Sequence, residues 1–394
     1  MSEWKEIKLG ELLNVITKGT TPPKGIGFVD KGINYVKSDA IGYDRKLDKT
    51  KIAHINEETH QSFKRSQLAE NDILFSMAGI YLGKNAIVTK DILPANTNQA
   101  LAILRLNQEK ANPTYVSLYL SQQVMIDYVN NMSGQSAQPN VNFEEIKSIE
   151  IKLPPISEQT AIASVLSSLD DKIDLLHSQN YTLEKMAETL FRQWFVEEAK
   201  EEWKDVELGS VVETTSGGTP SRTNIRFYEN GTIHWVKSKE LNGSFILETE
   251  EMITEEALRK SSAKILPVNS ILIAMYGATV GEYAIIAKEM TCNQAVCALI
   301  PNKNYPYTYL FLLIKHNREE LINMAVGSAQ QNISQLLIKQ LPVLDCIEQI
   351  ERFNLVVEPL FIKIKSYHSQ IRTLKALRDT LLLKLMSGEV KVEM

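Results

Sequence analysis

The chain is written twice, which limits it to folds that can be built as two copies of one unit. Trp4-Lys5 with Leu9-Gly10-Glu11 returns as Trp203-Lys204 with Leu208-Gly209-Ser210. Thr20-Thr21-Pro22 returns as Gly218-Thr219-Pro220, and Tyr35-Val36-Lys37-Ser38 as Trp235-Val236-Lys237-Ser238. The run from Ile73 to Gly79, with Gly83, matches Ile271 to Gly277, with Gly281. Asn98-Gln99-Ala100 matches Asn293-Gln294-Ala295, and Gly134, Ser136-Ala137-Gln138 and Asn140 match Gly327, Ser328-Ala329-Gln330 and Asn332. Constant order at a nearly constant offset is the mark of internal duplication.

Each copy ends in a long heptad pattern. Ile162, Leu166, Leu169, Ile173, Leu176, Asn180, Leu183, Ala187, Leu190 and Trp194 follow one another in steps of four and three. Ile350, Phe353, Val357, Leu360, Ile364, Tyr367, Ile371, Leu374, Arg378, Leu381 and Leu385 do the same. Such a register specifies a coiled-coil seam that needs a partner along its length. Two matching seams in one chain predict an intrachain pair of antiparallel helices, the alternative being pairing between subunits. Ser157 is the expected cap of the first helix after Pro154-Pro155, Asp345 with Glu348 the expected capping box of the second, and Gly388 its C-terminal stop. Asn180 has two readings: a polar seam residue that fixes register, or an amide tolerated near solvent.

The rest of each copy reads as a mixed α/β domain. Ile73–Met77 and Ile271–Met275 are apolar, Gly-bounded strands, Ala100–Leu106 and Ala295–Ile300 further strands, and Pro113–Val129 and Pro306–Met324 helices. The boundaries predicted are 1–155 for the first globular domain, 156–200 for its helix, 201–344 for the second domain and 345–394 for its helix. The expected fold is α/β, two similar domains joined by two long antiparallel helices with pseudo-two-fold symmetry.

Composition narrows the function. No apolar run reaches a membrane span and no secretory pattern opens the chain, so a cytoplasmic protein without membrane contact is expected. Cys292 and Cys297, five apart in a strand-like stretch, should face opposite ways, and the histidines show no ligand spacing, so no metal is expected. The net charge of −5 resolves into +1 for residues 1–155, −6 for 156–202, −1 for 203–343 and +1 for 344–394. The globular parts are near neutral, which permits a local basic face but no strong non-specific grip on nucleic acid. Gly79-Ile80-Tyr81-Leu82-Gly83-Lys84-Asn85 is one residue short of a phosphate loop and carries Asn where magnesium needs Ser or Thr, and the second copy has Glu282 at the lysine position. A tight turn needing two glycines explains it better. Glu150-Ile151-Lys152 reads as a solvated strand face, and neither Pro-Pro pair sits in a methyltransferase tetrad. No catalytic residues are assigned.

The arrangement resembles the specificity subunit of type I restriction–modification systems. The most specific stretches are Gly217-Gly218-Thr219-Pro220-Ser221, Ile271 to Gly281, Thr291 to Ala295, Gly327 to Ile333, and Leu153-Pro154-Pro155-Ile156-Ser157-Glu158-Gln159. The first copy departs at Lys18-Gly19-Thr20-Thr21-Pro22, which lacks the double glycine, and at Ile80-Tyr81-Leu82. The resemblance implies two target recognition domains, each reading half of an asymmetric bipartite site in double-stranded DNA. It also implies a helix pair that sets the unread spacer and docks two methyltransferase subunits, two restriction and motor subunits completing the assembly. The chain itself would be non-catalytic and bind no cofactor, with S-adenosylmethionine, ATP and Mg on the partners. Two other readings compete: a coiled-coil adaptor that reads no DNA, and a self-contained enzyme, for which motifs are lacking.

Amides, hydroxyls and basic groups on loops are the expected base readers. The candidates are Lys18, Thr20, Thr21, Lys24, Lys37, Ser38, Gln135 and Gln138 in the first copy. In the second they are Thr219, Ser221, Arg222, Arg226, Lys237, Ser238, Lys239 and Gln330. Residues shared by both copies cannot distinguish two half-sites, so divergent ones such as Lys24, Arg222 and Arg226 are the better candidates for specificity. Tyr81 and Tyr276 read equally well as DNA-facing or packed.

Overall fold

The computed structural model describes residues 4–23, 27–79, 82–132, 139–325 and 332–393. They form two compact units, residues 1–171 with 375–394 and residues 172–374. Each holds one globular α/β part together with the stretches of both long helices that run beside it.

The apolar strand runs are central strands covered on both faces. In the first unit Ile73–Ser76 pairs antiparallel with Leu101–Leu106 on one side and Asn85–Ile87 on the other, and Leu13–Lys18 adds beyond Leu101–Leu106. Ile73 and Phe75 pack with Tyr115 and Val116 of the helical layer, whereas Leu74 points into a second core with Val36, Ile41 and Ile103. The second unit repeats this, with Ile271 and Ile273 in one core and Leu272 and Ala274 in the other. A strand buried on both faces has no polar side, which is why these runs lack alternation.

A smaller sheet carries the second core. Ile33–Val36 lies between Ala53–Ile55, antiparallel, and Ala95–Thr97, parallel. Its counterpart sets Ile233–Val236 between Met252–Ile253 and Thr291–Cys292. Cys292 and Cys297 therefore stand on different strands, Thr291–Cys292 and Val296–Ile300, and not on one as expected. They do enter different cores, and burial pushes both thiols up to about 12.

A clasp closes each globular part. Lys5–Lys8 pairs antiparallel with Glu150–Leu153, immediately before the first long helix, and Lys204–Glu207 pairs with Pro342–Asp345 before the second. In Glu150–Leu153 the side chains alternate, Ile151 and Leu153 inward and Glu150 and Lys152 outward, as a solvated strand face requires.

Gly79 and Gly83 form the expected tight turn, with φ of +80° and +82°, and Gly83 N–H donates to Ser76 O across it at 2.9 Å. Gly277 and Gly281 repeat it at +73° and +79°. L-residues avoid that region, so both pairs are held to glycine by conformation.

The globular helices are shorter than predicted. Pro113–Leu120 and Gln123–Met132 replace one helix, and Tyr307–His316 and Arg318–Asn323 replace the other. At the first break Ser121 Oγ donates to Leu118 O, offering that carbonyl a side-chain partner, and at the second Asn317 donates to Leu313 O from both its backbone N–H and its Nδ2.

The long helices span Ile156–Arg192, continued by a π-turn over Gln193–Glu197, and Ile347–Ser387. Their pairing is intrachain and antiparallel in each unit. In the first, Ile162 and Leu166 share a core with Leu385 and Met386, and Leu381 packs against it. In the second, Ile173 and Leu176 meet Ile371, Leu374 and Tyr367, and further on Phe191 and Phe195 meet Phe353. Along the seam Ile162, Leu166, Ile173, Leu176, Ala187, Val357, Ile364, Ile371 and Leu385 are buried, while Leu169, Leu183, Leu190, Leu360, Leu374 and Leu381 are half-buried. Phe191 and Phe195 take the inner positions expected of Leu190 and Trp194, because a straight helix at 3.6 residues per turn drifts from a strict heptad.

Both helix starts differ from expectation. Gln159 N–H donates to Pro155 O and Ile350 N–H to Cys346 O, so Pro155 and Cys346 are the caps. Ser157 lies inside the first turn, and Asp345 stays in its strand opposite Lys204. Gly388 does stop the second helix, at φ +77°. Asn180 is only 4 % exposed, which removes the solvent reading, and among the described residues neither its Oδ1 nor its Nδ2 has a hydrogen-bond partner.

Candidate nucleic-acid interface

In both units the loop carrying the Thr-Pro motif is fastened to the Asn-Gln-Ala segment. Gly19 N–H donates to Leu101 O and Thr20 N–H to Thr97 O; Gly217 and Gly218 donate to Val296 O and Cys292 O. A Cβ on Gly19 would fall 2.1 Å from Thr97 O, and one on Gly217 2.1 Å from Cys292 O, so these two glycines are required by close backbone approach. Gly218 lies equally tight, 2.5 Å from Ala263 N, which explains the second copy's double glycine. Its counterpart Thr20 sits in a looser place, where Arg65 Nη2 donates to Thr20 Oγ1 at 3.3 Å.

An aromatic pair supports each loop. Tyr35 donates from its hydroxyl to Thr20 O at 2.8 Å and meets Phe28 edge-on, centroids 5.4 Å apart. In the second unit Trp235 Nε1 donates to Gly218 O at 3.0 Å, Tyr228 Oη donates to Pro220 O at 2.6 Å, and the two rings lie 5.9 Å apart. Thr219 Oγ1 donates to Gln294, tying two repeated motifs directly.

The second unit gathers several candidates into one charged chain. Arg222 Cζ lies 4.4 Å from the Tyr228 ring centre and 4.8 Å from that of Trp235. Its Nη1 meets Glu251 Oε2 at 2.5 Å, and the other oxygen of Glu251 meets Lys237 Nζ at 2.8 Å. Lys237 also reaches Glu250 at 2.9 Å, and Lys239 reaches Glu250 at 2.7 Å. Hydrogen bonds from Lys239 and Lys237 hold the Glu250 carboxyl down at about 2, and those from Arg222 and Lys237 lower Glu251. Lys237, its side chain only 14 % exposed, is thus a strut inside this network, while Arg222 and Lys239 stand at its solvent edge.

The other candidates are more scattered. Ser221 shares a hydrogen bond with Thr223, Arg226 lies exposed on the 3-10 turn Ile225–Phe227, and Ser238 begins the turn Ser238–Glu240. In the first unit Lys18 ends its strand exposed, Thr21 is exposed, and Lys37 and Ser38 are half-buried at a turn entrance. Lys24, Gln135, Gln138, Gln330 and Tyr81 lie outside the described residues. Tyr276 is 42 % exposed beside the Gly277 turn, the more open of its two readings. Sequence reasoning missed Glu250, Glu251, Tyr228 and Arg65. The only trace of the glutamates is a divergence: the connection is Lys46-Leu47-Asp48-Lys49-Thr50-Lys51 in the first copy and Leu247-Glu248-Thr249-Glu250-Glu251 in the second.

Among the described residues no cluster of His, Cys, Asp or Glu could hold a metal ion, and no helix is long and apolar enough to cross a membrane. What the site offers is hydrogen-bonding and stacking groups on a rigid frame.

Comparison with known proteins agrees with that geometry. The family model of the type I restriction modification DNA specificity domain matches residues 1–185 and 200–344. The MjaIX specificity subunit of Methanocaldococcus jannaschii is 27 % identical over 327 residues, covering 76 % of this chain and 74 % of its own. The HindI specificity subunit of Haemophilus influenzae is 22 % identical over 99 % of this chain and 100 % of its own. Among solved structures, the type I restriction–modification S subunit from M. genitalium superposes with a TM-score of 0.67 over 99 % of this chain and 96 % of that one, at 16 % identity, which establishes a shared fold.

Proposed function

This chain belongs to the type I restriction–modification DNA specificity family, as its DNA-recognition subunit, and from that premise we propose that its two globular domains read the two halves of one asymmetric, bipartite DNA site. The observation that carries the reading is divergence on a repeated frame. The Gly turns, the fastened Thr-Pro loop and the aromatic support recur in both units, whereas the groups they display differ, Arg222 with Glu251 in one and Arg65 on Thr20 in the other. A frame used twice with different displayed groups suits two different half-sites.

The paired helices set the unread spacer and dock two methyltransferase subunits. Support comes from apolar side chains left outside the seam: Tyr181, Met186, Leu355 and Ile362 beside the second unit, and Leu377 and Leu383 beside the first, exposed from 45 % to 72 %. Side chains of that size on a soluble helix favour a covering partner. Restriction and motor subunits complete the assembly, and S-adenosylmethionine, ATP and Mg belong to the partners. The chain positions chemistry that others perform.

The test is co-expression with the modification subunit, followed by single-molecule methylation sequencing of the host DNA. The expected result is a bipartite motif whose two halves differ, with one half altered when residues 208–341 are exchanged for those of a relative. Methylation without a bipartite motif would overturn the reading. Binding of S-adenosylmethionine by the isolated chain would overturn the non-catalytic assignment.

A further inference from the structure

Resting on that reading, we propose that Arg222 is a guanine reader of the second half-site and that Glu251 is the residue that positions it. The guanidinium is stacked against Tyr228 and Trp235, and both rings are themselves fastened to the Gly218-Thr219-Pro220 loop from which Arg222 extends. Trp235 is 2 % exposed, so this support is part of the core. Glu251 takes only Nη1. Among the described residues Nε and Nη2 carry no hydrogen bond, and they form the parallel two-donor edge of an arginine. Arg105 uses that same edge on Asp72, at 2.7 Å from each nitrogen. Presented to DNA, it matches the O6 and N7 acceptors of guanine in the major groove.

A phosphate would accept the same edge, and two observations favour the base. Arg222, Lys237 and Lys239 share their surroundings with Glu250 and Glu251, so each cation already faces a carboxylate that would repel a backbone phosphate. The device is also peculiar to one copy. The first unit retains the aromatic pair, Phe28 and Tyr35, but Ala53 stands where Glu251 would be, two residues before the strand position paired with Ile33 as Glu251 precedes that paired with Ile233. A contact to the common phosphate backbone gives no reason for such a difference, whereas two unlike half-sites do.

The experiment maps methylation by the complex of this chain with its modification subunits, comparing wild type, Arg222→Ala, Arg222→Lys and Glu251→Gln. The Arg222 side chain is half-exposed, so its replacement leaves the fold intact, and recovery of the complex checks this. With Arg222→Ala one G·C position in one half-site should lose discrimination by roughly ten- to a hundredfold, the other half and the spacer unchanged. Glu251→Gln should relax the same position by less, and Arg222→Lys should fall between wild type and Arg222→Ala. A uniform fall in methylation with every position still read would place Arg222 on phosphate and overturn the proposal, as would an unchanged motif. If the wild-type chain directs no bipartite motif, the parent reading fails and this one with it; an intact wild-type motif indifferent to Arg222 removes this one alone.

Discussion

At one equivalent position on the long helices the two units fasten their globular parts with opposite chemistry, although the second unit keeps an ion pair elsewhere, Lys315 with Glu188. In the first, Asp170 of the first long helix accepts from Arg45 Nη2 at 2.5 Å and from Arg378 Nη1 at 3.0 Å, a charge cluster with little exposure. Arg45 reaches it from a left-handed backbone, φ +64°. In the second, the same heptad position is Phe361, which follows Leu360 as Asp170 follows Leu169. Phe361 packs its ring against Phe245, Tyr307 and Phe311 at 5.5–6.3 Å. The sheets repeat the contrast. Asp72, fully buried, is held by both donors of Arg105, and the equivalent places are Ser270 and Ile300. The order of the shared strands and the glycine turns survived divergence while the fastening at these positions was exchanged, so the frame specifies where contact is made and tolerates either means of making it there. Swapping both members of a buried ion pair for apolar groups is energetically mild, whereas losing one member is not.

That contrast can be broken most strongly at Phe361. Phe361→Ala should lower the stability of the second unit by about 3–5 kcal/mol, read as a fall in protection of residues 172–374 in hydrogen exchange with the first unit unaffected. Arg105→Ile alone should cost about 3 kcal/mol by stranding the buried Asp72 carboxylate. Adding Asp72→Ser, which copies the second unit into the first, should recover most of the loss in a denaturant melt; failure to recover would show that the two sheets are not interchangeable.

The comparison also has a pH arm. Burial, and then neighbouring His177, hold His368 below its ordinary value, beside Ser244. The folded second unit keeps this ring neutral, so the unfolded chain binds more protons below pH about 6.5 and stability declines as the pH falls through that value. A melting temperature that drops between pH 7.5 and 5.5 in the wild type, and less in His368→Gln, is the expected outcome. The smallest effect belongs to the surface pair of Arg372 with Glu248, about half exposed on both sides. Removing Arg372 should change stability by less than about 1 kcal/mol.

What could be read in the chain beforehand follows a physical divide. The duplication, the helix pair and the strand runs are written in local order and periodicity, which sequence displays directly. The caps at the two helix starts differ from expectation because Ser157 and Asp345 have the right chemistry in the wrong conformation: the first amide bond closes on Pro155, and Asp345 is held by strand pairing. The breaks at Ser121 and Asn317 fall at single polar residues that bond back to the preceding turn, within otherwise helical stretches. Arg222 was legible as a divergent basic loop residue. Glu251, 29 residues further on, and Asp170, 125 residues from Arg45, were not, since an ion pair across such a distance leaves no periodic trace.

The strand clasps bear on how such a protein changes over time. Lys5–Lys8 against Glu150–Leu153, and Lys204–Glu207 against Pro342–Asp345, bring the entry and exit of each globular part side by side. A related segment that returns to the same clasp and meets the same helix positions can replace what lies between them without either helix having to shift. Each recognition domain is thereby a cassette, and a new DNA specificity can arise in a single recombination event rather than through a long series of point substitutions.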